Sequence, residues 1–150
     1  MLLFIRIVPV LLFVSSSVFA QQNTQSVDPI IVIANRMPQN LSSALSDVQI
    51  IDAEEIAGAS GASLTSLLQA RAGIELSSTG GAGQPSGIFM RGTNSNHVVI
   101  LLDGVRINSA TSGTTALEHI PLNQIERIEI VSGTASSLYG ADAIGGVIHI

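Results

Sequence analysis

Ile125 to Ile150 reads IERIEIVSGTASSLYGADAIGGVIHI, and the order of elements within it decides the fold. Ile128 and Ile130 alternate with Glu129 and Val131, the period of two expected of a half-buried strand, and Ser132-Gly133 ends the run. Ser136 to Tyr139 leaves room for a single helical turn. Gly140, Gly145 and Gly146 supply positions where positive φ or close backbone approach costs little. Val147 to Ile150 then restarts an apolar strand. A strand, a glycine-flanked turn and a second strand in so short a space point to an α+β domain with a small sheet.

Working outward, Ile88 to Asn108 reads IFMRGTNSNHVVILLDGVRIN. Ile88 to Met90 is a strand ended by Arg91-Gly92. Val98 to Leu102 is a continuous apolar run, as a strand covered on both faces should be. Asp103-Gly104 is a hairpin turn into Val105-Arg106-Ile107. Upstream, Ser77 to Gly87 is a loop of Ser, Thr, Gly and Pro, able to bring backbone close to a ligand. An apolar strand follows it where a dinucleotide fingerprint would need a helix, so no nucleotide site is expected. Further back, Val48 to Ile51 is a strand and Asp52 can cap a short turn holding Glu54, Glu55 and Ile56. Ser63 caps a helix with Leu64, Leu67 and Leu68 on one face, ending at Gly73. Downstream, Pro121 suits the start of a short helix with Leu122 and Ile125 on one side.

Charge and composition exclude several functions. The formal net charge is −5 and the 150 residues contain no Lys. A nucleic-acid footprint needs a basic face and a Walker-type phosphate loop needs its lysine, so neither is expected. With no Cys there is no disulfide, thiol nucleophile, thiolate metal site or lipid-anchor cysteine. His97, His119 and His149 lack metal-ligand spacing, and no GxSxG elbow is present. Glu54 and Glu55 are adjacent in a first helical turn, where acids are favoured without any acid/base role. No catalytic residue and no cofactor is expected.

At the amino end, Arg6, the apolar run Ile7 to Val14 and Val18-Phe19-Ala20 form a secretory signal over residues 1–20, too short in its apolar part to span a bilayer. Gln21 to Val27 is polar and aperiodic, the pattern of a mobile tail. Asp28, Pro29, Ile30, Ile31, Val32, Ile33, Ala34 and Asn35 then form a short β-prone run headed by a proline. The residues alone leave two readings: a strand that pairs with another protein's sheet edge, or the first strand of the domain itself.

The strand, the turn carrying Tyr139-Gly140 and the passage Ala143-Ile144-Gly145-Gly146 into a strand together resemble the end of the plug domain of TonB-dependent outer-membrane receptors. Ile88 to Asn108 is the second close match, most like the cobalamin (vitamin B12) receptor branch of that family. Residues alone also allow an unrelated small α+β domain, which would place the same strands. The resemblance runs from about Asp28 to Ile150 and implies a small mixed β-sheet with short helices and long loops. It divides the chain into a leader, a mobile periplasmic segment over residues 21–36 whose Asp28 to Asn35 is the TonB box, and a plug over residues 37–150.

Carried over position by position, the resemblance puts the ligand-contacting sites on Pro85, Gly87, Asn94, Thr111 and Ser112. Gly87 departs from it by offering no hydroxyl, and the loop Asn108 to Leu117 is a residue shorter, so ligand identity stays open between a corrinoid and a ferric siderophore. Arg91, Arg106 and Arg127 are either solvated on one face or, as the resemblance implies, face a barrel wall or acids such as Glu126 and Glu129, and the second is expected. The implied partners are TonB in the periplasm, a small-molecule ligand and the β-barrel of the same receptor. A barrel of that class needs more than roughly 200 further residues, so the chain is expected to be a fragment or a truncated product. A free periplasmic binding domain is the competing reading, and an enzyme the third.

Overall fold

Two apolar runs, Val98 to Leu102 and Ile128 to Ser132, build the centre of the molecule. The computed structural model describes residues 29–31, 39–40, 47–59, 61–71, 73–78, 80–81, 84–109 and 111–150. The leader, the tail to Val27, and Asp28 and Val32 to Asn35 of the expected TonB box lie outside the described residues. In chain order the strands are β1 (Ile30–Ile31), β2 (Gln39–Asn40), β3 (Asp47–Ile51), β4 (Ile74–Ser78), β5 (Ser86–Met90), β6 (Val98–Leu102), β7 (Val105–Arg106), β8 (Ile128–Ser132) and β9 (Gly146–His149). Three short α-helices, α1 (Ala53–Gly58), α2 (Leu64–Gln69) and α3 (Ser136–Tyr139), accompany them. Five strands form a mixed sheet in the order β3-β8-β9-β6-β7, while β1 with β2 and β4 with β5 form separate two-stranded ladders. Among the described residues only the β6 and β9 pair is parallel. Among the described residues the strands form no closed barrel.

Side chains alternate across the central strands and fill two cores. Val98, Ile100, Ile128, Ile130 and Ile148 meet the helices and the β4–β5 hairpin on one face. Val99, Leu101, Val131 and Val147 meet Ile31, Ala135 and Ala143 on the other, with Tyr139 packed alongside. The sequence predicts a half-buried β8, and the structure corrects this: every residue of β8 is buried, including Glu129 at 4% exposure. Ile31 of β1, distant in sequence, and the α3 turn just after β8 supply the second cover.

Local signals behave as their chemistry dictates. Asp52 caps α1 by accepting from the Glu55 N–H at 2.9 Å, and Ser63 caps α2 by accepting from the Ser66 N–H at 3.1 Å. Leu64, Leu67 and Leu68 are buried beneath α2. Its helical run stops at Gln69, short of Gly73, which turns the chain into β4 at φ +81°. Asp103 and Gly104 take φ of 49° and 81°, the mirror-image turn that matches strand twist.

The Gly-rich loop is shorter than expected. Ser77, Ser78, Ser86 and Gly87 belong to the β4–β5 ladder, with Ser77 opposite Gly87 and Ser78 opposite Ser86. Backbone pairing overrides the low strand propensity of Ser and Gly here. The arginines divide: Arg127 pairs with Glu129, Arg106 pairs with Asp142 at 2.7 Å, and Arg91 is exposed at φ 52°. Asp142, which the sequence did not single out, and not Glu126, is the second acid used.

Candidate functional site

Three of the expected ligand segments converge at the end of the sheet where β6 and β9 begin. Ser86 and Thr115 exchange backbone hydrogen bonds of 3.2 and 3.1 Å, which joins the start of β5 to the loop carrying Thr111 and Ser112. Gly113 of that loop lies on the Ser95–Asn96 backbone so closely that a Cβ would stand 2.6 Å from the Asn96 nitrogen. The turn after Asn94 is closed by the His97 N–H donating to the Asn94 carbonyl at 2.9 Å. It rests on the strand beneath through the Gly145 N–H, which donates to the His97 carbonyl at 2.9 Å.

Pro85, Asn94, Thr111 and Ser112 are all exposed on the rim so formed. Gly87 is not on it: it is buried inside β5, where a Cβ would meet the Phe89 ring at 3.2 Å and the Ser95 Cβ at 3.4 Å. A side chain at position 87 would therefore press on Phe89 and Ser95 beneath the rim. The hydroxyls of Ser109 and Thr111 lie 3.2 Å apart, and those of Ser112 and Thr114 2.8 Å apart. None of residues 84–87, 92–96 and 111–115 carries a charge. Such a rim can bind a ligand through backbone groups, amides and hydroxyls, without ion pairing.

The other end of the sheet differs. Beyond the ends of β6 and β9 lies a cleft of about 630 Å³ lined by Asp103, His119, Glu126, Arg127, Glu129 and His149 among others. Arg127 Nη2 donates both to Glu129 Oε1 and to the Ile30 carbonyl, tying β1 to the central strand β8. Ile31 is fully buried in the second core and Ile30 is half exposed. The described part of the expected TonB box thus lies as a strand against β2 in this structure. Among the described residues no cluster of His, Asp and Glu is arranged to hold a metal ion.

Sequence reasoning missed two contributors to the rim. Gly113 offers only a glycine in a Ser/Thr-rich loop as a signal, and its contact with Asn96 is not local. Asn108 ends the Asp103 hairpin: its side chain accepts from the Ile100 N–H at 2.9 Å and donates to the Val98 carbonyl at 2.5 Å. It replaces a ladder residue on β6 just where β7 has ended.

Residues 40–147 match the model of the TonB-dependent receptor plug domain, and the chain belongs to that family. Among curated relatives, the vitamin B12 transporter BtuB of Vibrio vulnificus is 46% identical over 129 residues, 86% of this chain and 21% of that protein. The transporter of the same name from Vibrio cholerae is 42% identical over 126 residues, covering 84% of this chain and 21% of the relative. This chain therefore spans about a fifth of the length of the relatives it matches. Among solved structures, a mutant of the ferric enterobactin receptor PfeA from Pseudomonas aeruginosa superposes with a TM-score of 0.57 at 27% identity, covering 81% of this chain and 19% of that one. The siderophore receptor PirA of the same organism gives 0.54 at 30% identity, over 69% and 17% of the two chains.

Proposed function

We propose that this chain is the plug of an outer-membrane receptor that takes up a corrinoid such as cobalamin, with no chemistry of its own. The observation that carries the reading is the convergence of Pro85, Asn94, Thr111 and Ser112 on one uncharged rim, in a chain 46% identical over 129 residues to a vitamin B12 transporter. A large ligand rich in amide groups suits backbone and hydroxyl partners better than a charged pocket would. The ligand lands on the rim, the plug shifts in its barrel, and TonB engages Asp28 to Asn35 from the periplasm. Pairing there requires Ile30 and Ile31 to leave β2, and Ile30 to leave the Arg127 guanidinium. The leader delivers the receptor to the outer membrane. A ferric siderophore is the second reading, favoured by the siderophore receptors among the superposable structures.

Outer membranes carrying the receptor of which this chain is the plug test the proposal. Saturable cyanocobalamin binding that excess ferric enterobactin does not displace is expected. Replacing Thr111 and Ser112 together by Ala should weaken it by about tenfold, the equivalent of one or two lost polar contacts. Saturable ferric enterobactin binding without cyanocobalamin binding would replace the first reading by the second, and binding of neither ligand would sink both.

A further inference from the structure

We infer that Gly113 is a positioning residue for ligand binding: its bare Cα seats the Thr111–Ser112 tip on the Ser95–Asn96 backbone and so sets the spacing of the rim. Gly113 is buried at φ +67°, and a Cβ added there would lie 2.6 Å from the Asn96 nitrogen, 2.7 Å from the Asn96 Cα and 2.9 Å from the Ser95 carbonyl carbon. These neighbours are backbone atoms, so no side-chain rotation relieves the overlap.

Neither base of the loop can move to make room. After Gly113 the chain is held by the paired hydrogen bonds between Thr115 and Ser86, and before it by Asn108, whose side chain bonds to two residues of β6. The opposing turn is held from beneath as well. Thr93 Oγ1 donates to the Met90 carbonyl at 2.8 Å, and the Gly145 N–H donates to the His97 carbonyl at 2.9 Å. A Cβ on Gly145 would itself overlap Thr93 Oγ1, so the turn cannot sink toward β9. What is left to move is the tip as a unit, a turn that carries Thr111 and Ser112. It is closed on itself by the Gly113 N–H donating to the Ser109 carbonyl at 2.9 Å and the Ser109 N–H donating to the Thr114 carbonyl at 3.0 Å. A side chain at position 113 lifts that tip away from Asn94.

Affinity is the part of this inference that rests on the corrinoid reading; the spacing of the loops does not. Gly92 is the natural control, since it lies between Met90 and the same turn at φ +74° with nothing within 4 Å of an added Cβ. Asn tolerates positive φ, so Gly113→Asn and Gly92→Asn carry the same backbone demand and differ in crowding. Spin labels on Pro85→Cys and Thr111→Cys report the distance across the rim; this chain contributes no competing cysteine, and any in the rest of the receptor is first replaced by Ser. In the full receptor, Gly113→Asn should lengthen that distance and, without labels, weaken cyanocobalamin binding by about tenfold. Gly92→Asn should leave the distance unchanged and binding within about twofold. Gly113→Ala, with a smaller group, carries the test should the Asn variant not fold. An unchanged distance in the Gly113 variants overturns the inference, whatever happens to binding. A lengthened distance in a receptor whose unsubstituted form takes no cyanocobalamin upholds the seat and removes the corrinoid reading instead.

Discussion

The two ends of the central sheet solve opposite problems with the same strands. Where β6 and β9 begin, the rim is uncharged and its loops are seated by glycines and backbone hydrogen bonds. Where they end, a cleft gathers Arg127, Glu129, His119 and His149. Among the described residues, Arg127 Nε and His149 Nε2 are buried there with no hydrogen-bond partner, whereas the rim buries only Thr115 Oγ1 in that condition. Buried polar atoms without partners are costly, so the charged end is incomplete in a way the rim is not. One end is a finished surface. At the other, satisfaction of those groups calls for donors and acceptors beyond the residues described.

The largest effect is expected at the charged end. Arg127→Ala removes the cation facing Glu129, whose side chain is only 6% exposed, and cuts the tie to Ile30. Arg127 is itself 36% exposed, but its removal leaves the buried Glu129 carboxylate without that cation, at a cost of about 3 kcal/mol. Urea unfolding of the chain should show that loss, and limited proteolysis should cut within residues 28–39 at lower protease concentration than in the unsubstituted chain. Unchanged stability together with unchanged cutting would mean that Arg127 holds nothing and that the two ends differ less than their charges suggest.

An intermediate effect is expected between the two ends. Asn108 is 8% exposed, and its side chain satisfies the Ile100 N–H and the Val98 carbonyl on the β6 edge. Asn108→Ala leaves both groups without that partner, at a cost of about 2 kcal/mol. Because the same residue anchors the loop leading to Thr111, faster amide exchange at Ile100 should be accompanied by faster exchange at Ser112 and Thr115. Exchange confined to Ile100 would separate the strand from the rim and break the link drawn between them.

The same contrast explains what could be read from the sequence. Strands β6 and β9, the caps Asp52 and Ser63, and the Asp103-Gly104 turn are written in local pattern, because each depends on residues within a few positions. The exposed members of the rim, Pro85, Asn94, Thr111 and Ser112, followed from family resemblance, and the structure brings their loops together. What stayed hidden is non-local. Glu129 is buried beside Arg127, which reaches to Ile30 of the distant β1, the loss of Ser77 and Gly87 to a ladder depends on their pairing with each other, and the role of Gly113 depends on Asn96. No periodicity records a contact between a glycine and the backbone of a distant turn.

The smallest effect should have the opposite sign. Thr115 is 3% exposed, its backbone is paired with Ser86, and its hydroxyl has no hydrogen-bond partner among the described residues. Valine has the same branched shape without the hydroxyl, and leaves both backbone bonds in place. Thr115→Val should therefore raise the stability of the chain by about 1 kcal/mol, read as a higher urea midpoint at unchanged slope. Rim spacing should be preserved, since nothing that seats Gly113 is altered. A loss of stability would show instead that the Thr115 hydroxyl is satisfied, as by a buried water, and the rim would then hold a polar site beneath Ser86. In that case the two ends of the sheet would share a dependence on groups outside the chain, and the contrast between them would be one of charge alone.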